Sequence, residues 1–136
     1  MAGDSLWALE LVDVLLEKKA DVNQIDVEGK TALCWACASD HVNVAKRLIE
    51  AEADIHCRDH HHRTCMTHAA RGDARTCMGW LKDTLGSPEL EVEDANAWRP
   101  LMHAAHAGSE AAVKWLVCHD ADIAYEVQFQ DKGGIG

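Results

Sequence analysis

No apolar run in this chain of 136 residues approaches the roughly 18 residues that a membrane helix requires, so no membrane span is expected. No basic N-terminal segment leads into an apolar stretch, so no secretory signal is expected either. Positive charge is scarce. Thirteen Lys and Arg stand against 23 Asp and Glu, for a formal net charge of −10. That balance argues against a nucleic-acid backbone as the main partner, because phosphate binding needs a cationic surface. It is compatible with a basic protein partner, although an acidic surface also serves solubility alone. No nucleophile–base–acid set stands out. Ser5, Ser39, Ser87 and Ser109 fall at helix edges or in loops, where capping is the ordinary role. The Gly133-Gly134-Ile135-Gly136 cluster has no helix after it and is not a phosphate loop. Glu91, Glu93 and Asp94 read as a solvated acidic edge. No catalytic residue and no cofactor are assigned, and the chain is not expected to be an enzyme.

What is present is enough for one domain. Apolar residues make up 48% of the chain, mostly aliphatic residues and alanine. A chain of this length buries roughly two thirds of its unfolded surface. Six cysteines allow three disulfides, but Cys34, Cys37, Cys77 and Cys118 sit inside helical patterns. Reduced thiols in a cytoplasmic or nuclear protein are the expected state.

The most informative feature is self-similarity. Asp26-Val27-Glu28-Gly29-Lys30-Thr31-Ala32-Leu33 is answered 33 residues on by Asp59-His60-His61-His62-Arg63-Thr64-Cys65-Met66. A further 35 residues on stands Asp94-Ala95-Asn96-Ala97-Trp98-Arg99-Pro100-Leu101. Each copy runs into a small-residue pair: Ala36-Cys37, Ala69-Ala70 and Ala104-Ala105. A second marker recurs as Ala20-Asp21-Val22, Ala53-Asp54-Ile55 and Ala121-Asp122-Ile123. A period of about 33 residues marks a stacked repeat array.

These segments resemble the ankyrin repeat. Residues 29–37 are similar to its G-x-T-P-L-H-x-A-A segment, and residues 48–56 to its L-L-x-x-G-A-D-V-N segment. The resemblance covers roughly residues 10–124 and implies an all-α solenoid of stacked helix-turn-helix units with hairpin-like fingers. The copies are degenerate. The motif's proline survives only at Pro100, and its histidine is replaced by Cys34, Thr67 and Met102. The glycine expected before A-D-V, in a left-handed turn, is Lys19, Glu52 and Asp120. Each such replacement costs about 1 kcal/mol.

The array is read as residues 1–124: a partial repeat 1–25, then repeats 26–58, 59–93 and 94–124, with a loose tail at 125–136. Residues 5–18 form an amphipathic helix with Leu6, Leu9, Val12 and Leu16 on one stripe. Turns at 26–30, 59–63 and 94–98 lead to inner helices at 32–39, 65–71 and 101–107. Outer helices are expected at 42–51 and 110–118. For the third repeat, ungapped counting puts Lys82 where Ile49 and Val117 sit and would bury a charge, which is costly. Deleting one residue after Ala70 instead sets Trp80 and Leu81 on the apolar pair, with Gly86-Ser87-Pro88 holding the surplus as a loop. Trp80 and Trp115 then read as core.

The resemblance further implies that inner helices and finger tips line a concave groove that binds a partner. Trp35, His68 and His103 share the variable inner-helix column, and Arg71 and His106 share the next exposed one. With His60, His61, His62, Asn96 and Trp98 at the finger tips they form the expected partner-binding set. Tryptophans on such a stripe are what an interface hot spot needs. Asn23 resembles the A-D-V-N asparagine that asparaginyl hydroxylases modify, with Leu15 eight residues upstream. His56, Cys57, His60, His61, His62 and Cys65 crowd the finger at 56–65, but their spacing lacks the regularity of a zinc site and no metal is assigned. The C-x-x-C of Cys34 and Cys37 reads as packing.

The expected function is reversible protein binding by a monomer, without catalysis, with a basic partner protein the complement to the acidic chain. Two alternatives stay open: a metal-binding or sensor module using the His/Cys finger, and a regulatory fragment of a larger enzyme or channel.

Overall fold

The computed structural model describes residues 21–119, together with residues 10, 13–15, 17 and 18. Among them the regular elements are all helical: α1 (Ala32–Ala38), α2 (Val42–Glu50), α3 (Cys65–Arg71), α4 (Arg75–Leu85), a 3-10 helix (Ser87–Glu91), α5 (Pro100–Ala107) and α6 (Glu110–His119). Helices this short are marginal alone in water, so packing must hold them. The inner helices α1, α3 and α5 stack on one another, and each is backed by its own outer helix, α2, α4 or α6. Leu33, Cys37, Met66, Ala69, Ala70, Cys77, Met78 and Leu81 fill the space between the two layers and are fully buried.

Local chemistry starts each inner helix. The Thr31 hydroxyl accepts from the Cys34 N–H at 3.4 Å. Thr64 and Thr67 cap reciprocally, each side chain accepting from the other's backbone N–H at 3.3 Å. The third inner helix opens on Pro100, whose missing N–H has no partner to lose there.

The inner-to-outer turns are equivalent. Asp40, Asp73 and Gly108 all take left-handed backbone, with φ of 60°, 58° and 74°. The N–H groups of His41, Ala74 and Ser109 donate to the carbonyls of Ala36, Ala69 and Ala104. The two turn aspartates act across a repeat boundary. Asp40 Oδ1 accepts from Cys77 N–H at 2.8 Å, and Asp73 Oδ1 accepts from Ala112 N–H at 2.7 Å. Helix α4, whose N-cap residue Ala74 offers no capping side chain, is thus capped by the preceding repeat, and Asp73 serves α6 in the same way, each interaction worth about 1 kcal/mol.

These turns overturn the expected deletion after Ala70. Asp40 and Asp73 lie 33 residues apart in the same conformation, so the register runs ungapped into α4. Leu81 takes the position of Leu48 and is fully buried, while Lys82 takes that of Ile49. The burial penalty that motivated the deletion does not arise, because Lys82 is only half-buried there and its stem lies along the surface. The surplus residues turn at Gly86 (φ 96°) and then form the 3-10 helix rather than a loop, with Leu90 docked into the core. Trp80 and Trp115 are likewise corrected. Both pack at the margin of the core, half-buried, and not within it.

Glu52 adopts the left-handed backbone expected of its position, with φ 72°. Lys19 and Asp120 lie outside the described residues, as do Leu6, Leu9, Val12 and Leu16 and the tail 125–136. Residues 10, 13–15 and 17 are helical, and Asp13 Oδ1 accepts from Arg47 Nε at 2.6 Å.

Candidate partner-binding face

Each finger tip is built on one aspartate. Asp26, Asp59 and Asp94 each donate their backbone N–H to the carbonyl four residues on (Lys30, Arg63, Trp98), at 2.9 to 3.0 Å. Oδ1 of each accepts from the N–H groups two and four residues on: Glu28 and Lys30, His61 and Arg63, Asn96 and Trp98. The residue three positions on takes left-handed backbone: Gly29, His62 and Ala97. Gly29 is required twice over, because a Cβ there would lie 2.6 Å from the His60 ring. Neighbouring fingers join through backbone bonds of 2.9 Å, His60 N–H to Glu28 O and Ala95 N–H to His61 O.

The remaining carboxylate oxygen holds an aromatic N–H from the inner helix nine residues on. Trp35 Nε1 lies 3.2 Å from Asp26 Oδ2, His68 Nε2 3.0 Å from Asp59 Oδ2, and His103 Nε2 2.8 Å from Asp94 Oδ2. The column exists as expected, but its members differ. Trp35 is 53% exposed, whereas His68 and His103 are each only 4% exposed. The two histidines are therefore corrected from partner contacts to internal struts that tie finger to helix. His103 packs against the Trp98 ring at 5.1 Å, with Arg63 and Arg71 of the preceding repeat beside it.

Burial pushes both imidazoles below the ordinary histidine range. For His103 the Asp94 carboxylate opposes that shift, while Arg63 and Arg71 add to it. For His68 burial again leads, opposed by Cys34 and Asp59. Burial alone would raise Asp94, but the N–H groups of Trp98 and Asn96, with His103, outweigh it and hold its carboxyl below the usual value. The signs agree. Below the unfolded histidine pKa of about 6.5, the unfolded chain takes up protons that the folded His103 refuses, so stability falls with pH until the folded pKa is reached. Further down, Asp94 loses its contribution as pH drops through its own lowered pKa. Denaturant midpoints at about pH 7.5 should exceed those at about pH 5, and His103→Gln should flatten that difference. A midpoint that rises on acidification would contradict the assignment.

The other expected residues are accessible. His60, His61, His62, Arg71, Asn96 and His106 are exposed, and Trp98 is half-buried. Arg71, Asn96, Trp98, His103 and His106 meet around one hollow of about 170 Å³, which Arg63 and Asp94 complete. Trp98 lies 5.1 Å from the His103 ring and 5.4 Å from His106. Arg63 Nε is buried without a hydrogen-bond partner, 3.9 Å from Asp94 Oδ2. Desolvation and the charge of Arg63 both lower the Arg71 pKa. The hollow is a cationic spot on an acidic chain. Trp35 stands apart from it, with Lys30 Nζ 4.7 Å above its ring. It sits beside a larger apolar hollow of about 690 Å³ lined also by Leu15, Val22, Ile25, Val44 and Leu48.

Sequence reasoning missed Arg63 and Lys30. Their signal was the finger position four residues after each aspartate, where Trp98 also stands. It also separated residues that the fold joins. Cys57 and Cys65 of the finger lie with Cys34 of α1, Sγ to Sγ 3.7 Å for Cys34–Cys57 and 3.9 Å for Cys57–Cys65. The finger histidines are not part of that group. All six cysteines are free, with Cys34, Cys37, Cys65 and Cys77 buried. Hydrogen bonding from Cys57 and Cys65 draws the Cys34 pKa down, and hydrogen bonding to Cys34 and Cys65 raises that of Cys57. Asn23 is exposed, its Oδ1 accepting from Asp54 N–H at 2.8 Å and its Nδ2 donating to Glu52 O at 3.5 Å.

A family model of ankyrin repeats (3 copies) matches residues 5–59 and 51–127. The chain is 29% identical to inversin of Canis lupus familiaris over 115 residues, 85% of this chain and 11% of that protein. It is 32% identical to the neurogenic locus Notch protein of Drosophila melanogaster over 117 residues, 84% of this chain and 4% of that protein. It is 36% identical over 83 residues to delta-latroinsectotoxin-Lt1a of Latrodectus tredecimguttatus, 60% of this chain and 7% of the toxin. The chain thus spans no more than 11% of the length of these relatives.

Proposed function

The chain belongs to the ankyrin-repeat family, and from that premise we propose that it binds another protein through its finger tips and inner-helix face. Ankyrin repeats are in general protein-interaction modules, and the proposed work is reversible association without catalysis. The observation that carries the reading is the hollow gathering Arg63, Arg71, Asn96, Trp98 and His106 on that face. Two guanidinium groups beside an aromatic plane suit a carboxylate-bearing side chain or chain end of the partner. The net charge of −10 favours a basic surface around that contact. The unit is proposed to act as a monomer, and its free cysteines support a reducing compartment, cytoplasmic or nuclear.

The test is capture of partners from extract by the intact chain, with variants as controls. Trp98→Ala or Arg71→Ala should weaken binding of a captured partner by about 2 kcal/mol, roughly 30-fold in Kd. Trp35→Ala tests whether the face extends to the first finger, and its exposed ring predicts a stability change within about 0.5 kcal/mol. Undiminished capture by the Trp98 and Arg71 variants would remove the hollow from the interface.

Asn23 is proposed as a hydroxylation site, because its side chain is exposed at the turn that the family's modified asparagine occupies. Treatment with an asparaginyl hydroxylase should add the mass of one oxygen to its peptide, and an unshifted peptide ends the idea. The lengths of the relatives favour a second reading, in which the array serves as a regulatory part of a longer protein.

A further inference from the structure

Three sulfurs from three different segments converge at one point. Cys34 comes from the first turn of α1, Cys57 from the arm leading into the second finger, and Cys65 from the first residue of α3. Their Sγ atoms all lie within 4.8 Å of one another, and among the described residues no histidine or carboxylate joins them. They occupy non-equivalent positions of the repeat: Cys34 aligns with Thr67 and Met102, Cys57 with Gln24 and Val92, Cys65 with Ala32 and Pro100. Nothing in the repeat pattern accounts for a cysteine at any of the three.

We propose that Cys34, Cys57 and Cys65 bind one thiophilic metal ion, zinc(II), as a three-thiolate site. The spacing supports it. A tetrahedral zinc with bonds of about 2.3 Å sets its sulfurs roughly 3.8 Å apart. Two of the three separations, 3.7 Å and 3.9 Å, bracket that edge, and the third pair lies within 4.8 Å. The fourth vertex is also provided for. Thr31 Oγ1 lies 3.5 Å from Cys57 Sγ and 3.7 Å from Cys34 Sγ, near the edge between a bound sulfur and a bound oxygen. That hydroxyl, or a water reaching the ion past half-exposed Cys57, completes four-coordination. The donor set is sulfur-rich, which selects zinc or copper(I) over magnesium or calcium.

The chemistry balances without a redox partner. Only the thiolate is a ligand, so each thiol that enters the site passes its proton to the buffer, three in all from three thiols. Three thiolates and a divalent ion leave one net negative charge. The bound ion would join α1 to the next finger and to α3, across the boundary between two repeats. Its binding energy would therefore add to the stability of the array.

The test uses the full chain, freshly reduced and stripped of metal, titrated with zinc(II) alone against a competing chromophoric chelator. One equivalent should bind with proton release, and the thermal midpoint should rise. Cobalt(II) in place of zinc should give an intense near-ultraviolet thiolate charge-transfer band with the visible bands of a tetrahedral ion. Copper(I) is a separate arm, and its displacing zinc at the same three cysteines would support the site while reassigning the ion. Cys57→Ser, chosen because Cys57 lies outside the helices, should weaken zinc binding by more than the roughly 100-fold that loss of an outer-shell partner costs. Cys118→Ser and the triple variant His60→Ala, His61→Ala, His62→Ala should bind as the parent does. Should Cys57→Ser fold poorly, the cobalt spectrum of the parent decides. Absence of the charge-transfer band, or zinc lost in the histidine variant and kept in Cys57→Ser, overturns the proposal and leaves a packed thiol cluster.

Discussion

Replacing Asp59 by alanine should cost about 3–5 kcal/mol and loosen the second finger together with α3. This carboxylate is 4% exposed and holds three donors at once: His61 N–H at 2.8 Å, Arg63 N–H at 2.9 Å and His68 Nε2 at 3.0 Å. Hydrogen bonds to a charged group each contribute about 1.5–3 kcal/mol, and buried donors left unpaired add their desolvation cost. His68 would keep its buried place without its acceptor. Asp26 makes the same bonds from an exposed position, so water replaces what is lost there and Asp26→Ala should do much less. Asp59→Asn keeps an acceptor for the two backbone N–H groups and should fall between the two. Guanidinium unfolding monitored by circular dichroism separates the three variants. If Asp59→Ala costs no more than Asp26→Ala, the Asp59–His68 strut does not bear on stability. A cycle with His68→Ala then apportions the pair, since the two changes should be strongly non-additive.

Much of this was legible in the chain. The recurrence of Asp26, Asp59 and Asp94 located every described finger, and the small-residue pairs located the inner helices within a residue. Threonines 31 and 64 mark two helix starts by their chemistry alone. What column-counting does not contain is cover. Trp35, His68 and His103 are equivalent by spacing and by their bond to an aspartate, yet one is exposed and two are buried. The period states where a side chain stands on its own repeat. Its burial depends on what the adjoining repeat lays over it. The same limit appears at Met102, which is 44% exposed although Cys34 and Thr67 in its column are buried. A stronger signal was available for the histidines. A histidine nine residues after an aspartate, at His68 and His103, is a bonding pattern, and a polar group satisfied in this way can be buried. The cysteine cluster was illegible for the opposite reason. Its members lie in different columns, so no periodicity brings Cys34 to Cys57 and Cys65.

The register of α4 gives the second large effect. Leu81→Ala should destabilise the chain by about 2–5 kcal/mol, because Leu81 is wholly enclosed between the helix layers and its truncation leaves a cavity. Trp115→Ala removes more atoms but should cost less, since the indole lies half-buried at the edge and stacks on the His119 ring at 4.4 Å, a contact open to water. The contrast follows from the ungapped turn. With Asp73 equivalent to Asp40, Leu81 stands where Leu48 stands and Trp80 and Trp115 stand where Arg47 stands, a position that tolerates a charged side chain. Lys82→Ala should then stay within about 0.5 kcal/mol of the parent, as surface changes usually do. Chemical denaturation of the three variants, with the slope checked for constancy, gives the order directly. Were Trp115→Ala the costliest and Leu81→Ala nearly neutral, α4 would have to be rotated by one residue, the buried face would carry Trp80, and the capping of α4 by Asp40 would have to be rebuilt with it.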